Sequence, residues 1–130
     1  MSFAIDTSVW IEFFRGSSRK VVREVHRLID EENLVLPVPV KIELLSGASA
    51  NDRRKLNVLL SSLPQLFPTS GTWSRMEQWV DVAGKKGFRF GFADLLIAAL
   101  AGEVGAIVWS VDRDFIFIEK LGFISTHTPE

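Results

Sequence analysis

The 130-residue chain has no cysteine and no tyrosine, only two histidines, and 15 basic side chains set against 16 acidic ones. Each scarcity removes a class of chemistry. Without cysteine there is no disulfide framework, no thiolate zinc site, no iron–sulfur cluster and no cysteine nucleophile, and a reducing cytoplasm suits the chain. His26 and His127 stand far apart with no partner pattern around either, so neither a zinc centre nor a Ser-His-Asp arrangement can be assembled; both read as surface residues. A formal net charge of −1 leaves no global field to hold nucleic acid or an anionic membrane, which excludes a general coat protein but not a local site. The longest apolar segment, Leu95 to Ala101, falls far short of the ~20 residues that span a bilayer. Asp6 and Arg15 interrupt any leader-like stretch, so a soluble cytoplasmic protein is expected.

What is present is apolar: 47% of residues are hydrophobic, enough for one core, and residues 1–130 read as a single domain. Short apolar runs alternate with helical periodicity. Phe3-Ala4-Ile5 predicts a buried strand, and Val9, Trp10, Phe13 and Phe14 predict a helix after it, with Ser8 available as N-cap. Val21 to Glu32 reads as an amphipathic helix, and Leu34-Val35-Leu36 as a second strand stopped by Pro37 and Pro39. A helix over Val40 to Leu45 follows, then one over Asn51 to Leu63 capped by Asn51 or Asp52. Leu66-Phe67 predicts a short strand, Thr72 to Lys85 a helix with Met76, Trp79, Val80 and Ala83 inward, and Phe92 to Ala101 a buried helix. Ala106 to Trp109 predicts a third buried strand, Phe115 to Leu121 a short helical segment, and Gly122 to Ile124 an edge strand. Buried strands separated by helices imply an α/β domain, a mainly parallel sheet covered on both faces.

In such sheets ligands gather at the carboxyl ends of the strands. Asp6 follows the first strand, and Asp112 and Asp114 follow the strand ending at Trp109. Glu43 and Asp94 fall in the opening turns of helices, where the backbone dipole favours a carboxylate. These acids sit among apolar neighbours, and burying several negative charges together costs many kcal/mol unless a cation offsets them. Carboxylate-only donors suit Mg²⁺ or Mn²⁺.

Four words in this order, Ile5-Asp6-Thr7-Ser8, Lys41-Ile42-Glu43-Leu44-Leu45-Ser46-Gly47, Asp94-Leu95-Leu96-Ile97-Ala98-Ala99 and Ser110-Val111-Asp112-Arg113-Asp114-Phe115, span nearly the whole chain. Together they resemble the PIN-domain family of metal-dependent nucleases, and in particular its VapC-like toxin branch from toxin–antitoxin pairs. The resemblance implies a Rossmann-like α/β/α sandwich, a Mg²⁺ or Mn²⁺ site, and cleavage of single-stranded or looped RNA. By that resemblance Asp6, Glu43, Asp94 and Asp112 are the catalytic acids. Asp6, Asp94, Asp112 and Asp114 hold metal, with either Asp112 or Asp114 the closer ligand. Ser8 and Ser110 support Asp6. It also implies a cognate antitoxin whose tail covers the acidic groove, and a homodimer.

The chemistry expected is hydrolysis of a phosphodiester by a metal-activated water, with Glu43 or Asp94 taking the proton and a 5′-phosphate left on the product. Arg15, Arg19, Lys20 and Arg23, or Lys85, Lys86 and Arg89, offer a track for RNA phosphates, although solvated helix faces explain them equally well. Trp10, Phe13, Phe14, Trp73 and Trp79 read as core or dimer contacts. Two other functions compete. An aspartyl-nucleophile phosphohydrolase wants a second acid where this chain has Ser8, and a silent binding module would show a lost acid, whereas none is lost.

Overall fold

The computed structural model describes residues 1–129. Three strands form where the apolar runs predict them: β1 (Phe3–Ile5), β2 (Leu34–Pro37) and, later in the chain, β4 (Ile107–Trp109). Two minimal strands, β3 (Gln65–Leu66) and β5 (Ser125–Thr126), complete a parallel sheet of order β3-β2-β1-β4-β5. Seven helices among the described residues cover it: α1 (Thr7–Arg15), α2 (Arg19–Asp30), α3 (Val38–Ser46), α4 (Ala50–Ser61), α5 (Ser70–Lys85), α6 (Phe92–Glu103) and α7 (Asp114–Lys120). The expected α/β architecture is therefore the one observed. The chain builds outward from β1 to β2 and β3, then returns to β4 on the other side of β1. That reversal opens a crevice at the carboxyl ends of β1 and β4, the place where open parallel sheets bind ligands.

The core is aliphatic and lies on both faces of the central strands. Ala4, Val9, Val25, Leu28, Leu36, Val40, Leu60, Val108 and Ile118 are wholly buried, and every residue of α6 from Leu95 to Ala101 is buried. An all-apolar helix of this kind belongs between sheet and outer helices. No helix among the described residues is long and apolar enough to cross a membrane.

Several boundaries differ from expectation for identifiable reasons. Asp6 itself caps α1, accepting from the Ser8 N–H, so Ser8 lies inside the helix and is free to bond elsewhere. Gly16 ends α1 at φ 66, a left-handed conformation that glycine adopts without steric cost. Ser49, rather than Asn51 or Asp52, caps α4 through the Asp52 N–H. The Gln65 side chain donates to the carbonyls of Leu60 and Leu63, pinning the chain so that β3 starts at Gln65 and Phe67 is left exposed. The last strand lies beyond Ile124 because Phe123 turns out of the ladder to stack on Trp79, ring centroids 4.4 Å apart. On α5 the inward stripe is Thr72, Met76, Trp79 and Ala83; Val80, one step round from Trp79, faces outward.

The aromatic residues divide. Trp10, Trp79 and Trp109 are buried, whereas Trp73 is 41% exposed and Phe14 45%, so those two are not core. His26 is exposed against Phe13, as a surface histidine should be. His127 is not on the surface: its ring lies edge-on to Phe3 and Trp109 and its Nε2 is 3.1 Å from Glu24 Oε2.

Candidate active site

Asp6 emerges from β1 directly beside the end of β4, where its N–H donates to the Trp109 carbonyl at 3.0 Å. Its carboxylate is buried and held at both oxygens. Oδ1 accepts from the N–H and the hydroxyl of Ser8, at 3.1 and 2.5 Å, and Oδ2 accepts from the Ser110 hydroxyl at 2.8 Å. Burial pushes the Asp6 carboxyl above its usual range, and these hydrogen bonds, with one from the Val9 N–H, pull it back. The hydroxyls also reach forward: Ser8 Oγ accepts from the Val111 N–H and Ser110 Oγ from the Asp112 N–H. Asp112 Oδ1 in turn accepts from the Asp114 N–H at 2.9 Å. A short loop after β4 is thus tied to Asp6 by two serines, and its two aspartates are set in a fixed relation.

Asp94 meets that loop from the first turn of α6. One carboxylate oxygen from each of Asp94, Asp112 and Asp114 lies within 4.8 Å of the others. The Asp94 carboxyl is pushed up to about 6, first by burial and then by the charges of Asp112, Asp114, Asp6 and Glu43. All five acids therefore act on one centre. Glu43, exposed on α3, is anchored by the Thr7 hydroxyl, which donates to its Oε1 at 2.9 Å. Thr7 went unremarked in the sequence because its partner is 36 residues away. The signal available was its place between Asp6 and Ser8, in a turn whose polar atoms all face the crevice.

Three hard oxygen donors at this spacing, with no sulfur and no imidazole among them, fit an ion that takes oxygen ligands at about 2.0–2.6 Å. The raised Asp94 carboxyl is the electrostatic counterpart: without a cation, the cluster holds a proton more tightly than an isolated aspartate does.

The basic candidates are not gathered in the same way. Arg15, at the end of α1, lines a cleft of about 690 Å³ between α1, α3 and α4, whose walls include Ile11, Phe14, Leu56 and Leu59 and whose mouth includes Glu43. Lys85 pairs with Asp81 on the exposed side of α5 at 3.1 Å. Trp73 near the start of α5 stacks on Phe92, the first residue of α6, so Lys85 and Lys86 lie roughly 18 Å along the helix from the end where Asp94 sits. Arg89 is exposed in the segment leading back to α6.

The family model of the PIN domain matches residues 3–121, from β1 through α7. The chain belongs to the PIN-domain family. Among PIN relatives, Ribonuclease VapC11 from Mycobacterium tuberculosis is 34% identical over 122 residues, covering 90% of this chain and 91% of that protein. Two solved PIN folds align over nearly the whole chain. VapBC2 from Rickettsia felis, bound to a DNA fragment from its promoter, superposes with a TM-score of 0.80 at 17% identity and full coverage of both chains. FitAcB from Neisseria gonorrhoeae superposes with a TM-score of 0.76 at 20% identity, covering 98% of this chain and 97% of that one. At such identities the likeness is one of fold, and it agrees with the sheet order and helical layers described above.

Proposed function

We propose that this PIN-domain chain is a Mg²⁺- or Mn²⁺-dependent endoribonuclease, the toxin of a toxin–antitoxin pair acting on single-stranded or looped RNA in the cytoplasm. The observation that carries the reading is the convergence of five acids from four separate segments on one centre, Asp94 with Asp6, Glu43, Asp112 and Asp114 around it. The relative named a VapC ribonuclease and the solved toxin–antitoxin complexes support the same assignment.

We assign metal binding to Asp94, Asp112 and Asp114, with Asp6 completing the ligand set from the opposite wall. These residues would hold a divalent ion, which when bound would supply Lewis acidity to a water and to the leaving oxygen. Ser8 and Ser110 oppose the upward push of burial on the Asp6 carboxyl and hold it turned toward the site. Glu43, fixed by Thr7 at one oxygen, keeps the other free to accept a proton from the attacking water. The 3′ oxygen leaves, and the product carries a 5′-phosphate. Single-stranded RNA incubated with the protein and Mn²⁺ should be cut to 5′-phosphorylated fragments, and EDTA should stop the reaction. Cleavage that is indifferent to EDTA, or that leaves 2′,3′-cyclic ends, overturns the assignment.

The ion should also stabilise the fold, in a pH-dependent way. Above pH about 6 Asp94 is ionised and the cluster repels itself, so Mg²⁺ should raise the melting temperature most there. Below that pH a proton already occupies Asp94 and competes with the ion, so the shift should shrink. Melting curves with Mg²⁺ and with EDTA on either side of the transition measure it, and a shift that does not change with pH removes Asp94 from the ligand set.

For the antitoxin we assign the cleft between α1, α3 and α4, because its apolar walls open onto Glu43 and a segment lying there also covers the site. Gly47 lines this cleft with φ in the ordinary range, and an added Cβ meets nothing closer than 3.7 Å. Gly47→Phe should therefore fold normally, project a ring into the cleft, weaken antitoxin binding at least tenfold and leave RNA cleavage intact. Unchanged binding by titration calorimetry places the antitoxin elsewhere.

A further inference from the structure

We propose that His127 is a positioning residue: with Glu24 it closes a C-terminal clasp that holds β4 against β1 and so fixes the Asp6–Ser110 junction of the site. His127 lies beyond the span matched by the family model, which ends at Leu121, whereas its partners Glu24, Phe3 and Trp109 lie within it. Its importance for cleavage rests on the nuclease reading above; its mechanical action does not.

The geometry is a sequence of contacts from the sheet edge to its centre. β5 contributes only Ser125 and Thr126 to the ladder, paired with Ile107 and Val108. Two residues of ladder hold an edge weakly, and further bonds reinforce it. The His127 N–H donates to the Val108 carbonyl at 2.8 Å, and the Thr126 N–H donates to Glu119 Oε2 on α7 at 2.7 Å. The His127 ring then reaches over β4. It meets Trp109 edge-on at 5.6 Å between centroids and Phe3 of β1 at 5.0 Å, and its Nε2 ends on Glu24 of α2. Both members of this pair are largely buried, the side chains 19% and 13% exposed. One side chain thus touches β4, β1 and α2 at once.

The contacts lie directly behind the site. Trp109 supplies the carbonyl that fixes the Asp6 N–H, and the next residue, Ser110, supplies the hydroxyl that fixes Asp6 Oδ2. A shift of β4 relative to β1 moves both donors against Asp6, and carries Asp112 with them.

The pair also sits among other charges. The charged groups facing the imidazole are Glu24 itself, Arg27 bonded to Glu24, Lys20 and Arg23 on the same face of α2 around Pro129, and Glu119 on α7. Phe3 and Trp109 add none. Arg27 first, and His127 after it, hold the Glu24 carboxyl below its ordinary range, so Glu24 stays anionic. The imidazole therefore meets a carboxylate that stays charged.

The test uses the full chain with His127→Phe, which keeps a flat ring against Phe3 and Trp109 but removes the pair, and with Glu24→Gln, which keeps the imidazole. Hydrogen exchange of the Asp6 amide should speed up roughly tenfold in each variant and no further in the double variant, while the Leu36 amide, bonded to Pro64, keeps its protection. In cleavage assays kcat should fall several-fold with KM for RNA unchanged. An Asp6 amide as protected as in the wild type, in whichever variant folds, overturns the proposal. A wild type that leaves RNA intact overturns the nuclease reading instead, and the exchange measurement still decides the clasp.

Discussion

Asp94→Asn should abolish RNA cleavage, by about 10³-fold or more, and at the same time make the metal-free protein more stable. The two effects have one cause. Asp94 is held among four other carboxylates, and its own carboxyl is pushed up to about 6 from an ordinary 3.8. A folded-state value above the unfolded one means that the folded protein binds the proton more tightly. Stability from that proton is fully present below the unfolded value and is lost as pH rises through about 6. At neutral pH the wild type without metal therefore carries an uncompensated charge, which asparagine removes at nearly constant shape. The same change takes from the site a ligand oxygen with its charge. Cleavage rates with Mn²⁺ and melting curves in EDTA at neutral pH measure both. A variant that cuts at the wild-type rate, or melts lower than the wild type in EDTA, is incompatible with the site as described.

Trp10→Ala should be the most damaging change to stability, about 3–5 kcal/mol, against a total of about 5–15 for a domain of this size. Trp10 is 1% exposed and packs against Phe13 and Phe14 on the face of α1 that closes the crevice side of the core. Removing the indole leaves a cavity that the flanking aromatics cannot fill without leaving their own positions. The indole Nε1 is buried without a partner among the described residues, so Trp10→Phe relieves an unsatisfied donor while retaining most of the apolar contact. It should cost well under half as much. Urea unfolding of the two variants separates the terms; an alanine variant within about 1 kcal/mol of the wild type would show that α1 does not depend on this residue. Because α1 also carries Thr7 and Ser8, the alanine variant should lose activity in parallel with its folded fraction.

The central strands and the acids at their ends were legible in the sequence because apolar runs flanked by helical periodicity leave few alternatives to a parallel sheet, and such a sheet has one binding end. Asp6, Glu43 and Asp112 follow strands and so fall at that end, whereas Asp94 opens α6, which follows another helix, and is placed there by the resemblance of its motif to the family's. What periodicity reports is a face, not a register or a rotamer. Val80 and Trp79 both fit an inward stripe of α5, yet only Trp79 is inside. Phe123 looked like part of a strand because it is apolar, but its partner is Trp79 on a helix. Thr7 and His127 were missed for a further reason. Thr7 bonds Glu43, 36 residues on, and His127 meets Phe3, Trp109 and Glu24, partners too distant in the chain to be read from the residues around them.

The two serines that grip Asp6 have a consequence for when activity can appear. Ser110 bonds to an aspartate 104 residues earlier, and β1 must pair with β4 before that contact exists. Contacts of such sequence separation form late. A growing chain still attached to its ribosome, already displaying Asp6, Glu43 and Asp94, has no β4 to close the crevice and no Asp112 or Asp114 to complete the cluster. The acids are thus made in order but are brought together only near the end of translation, and a product truncated before Ser110 should lack the assembled cluster.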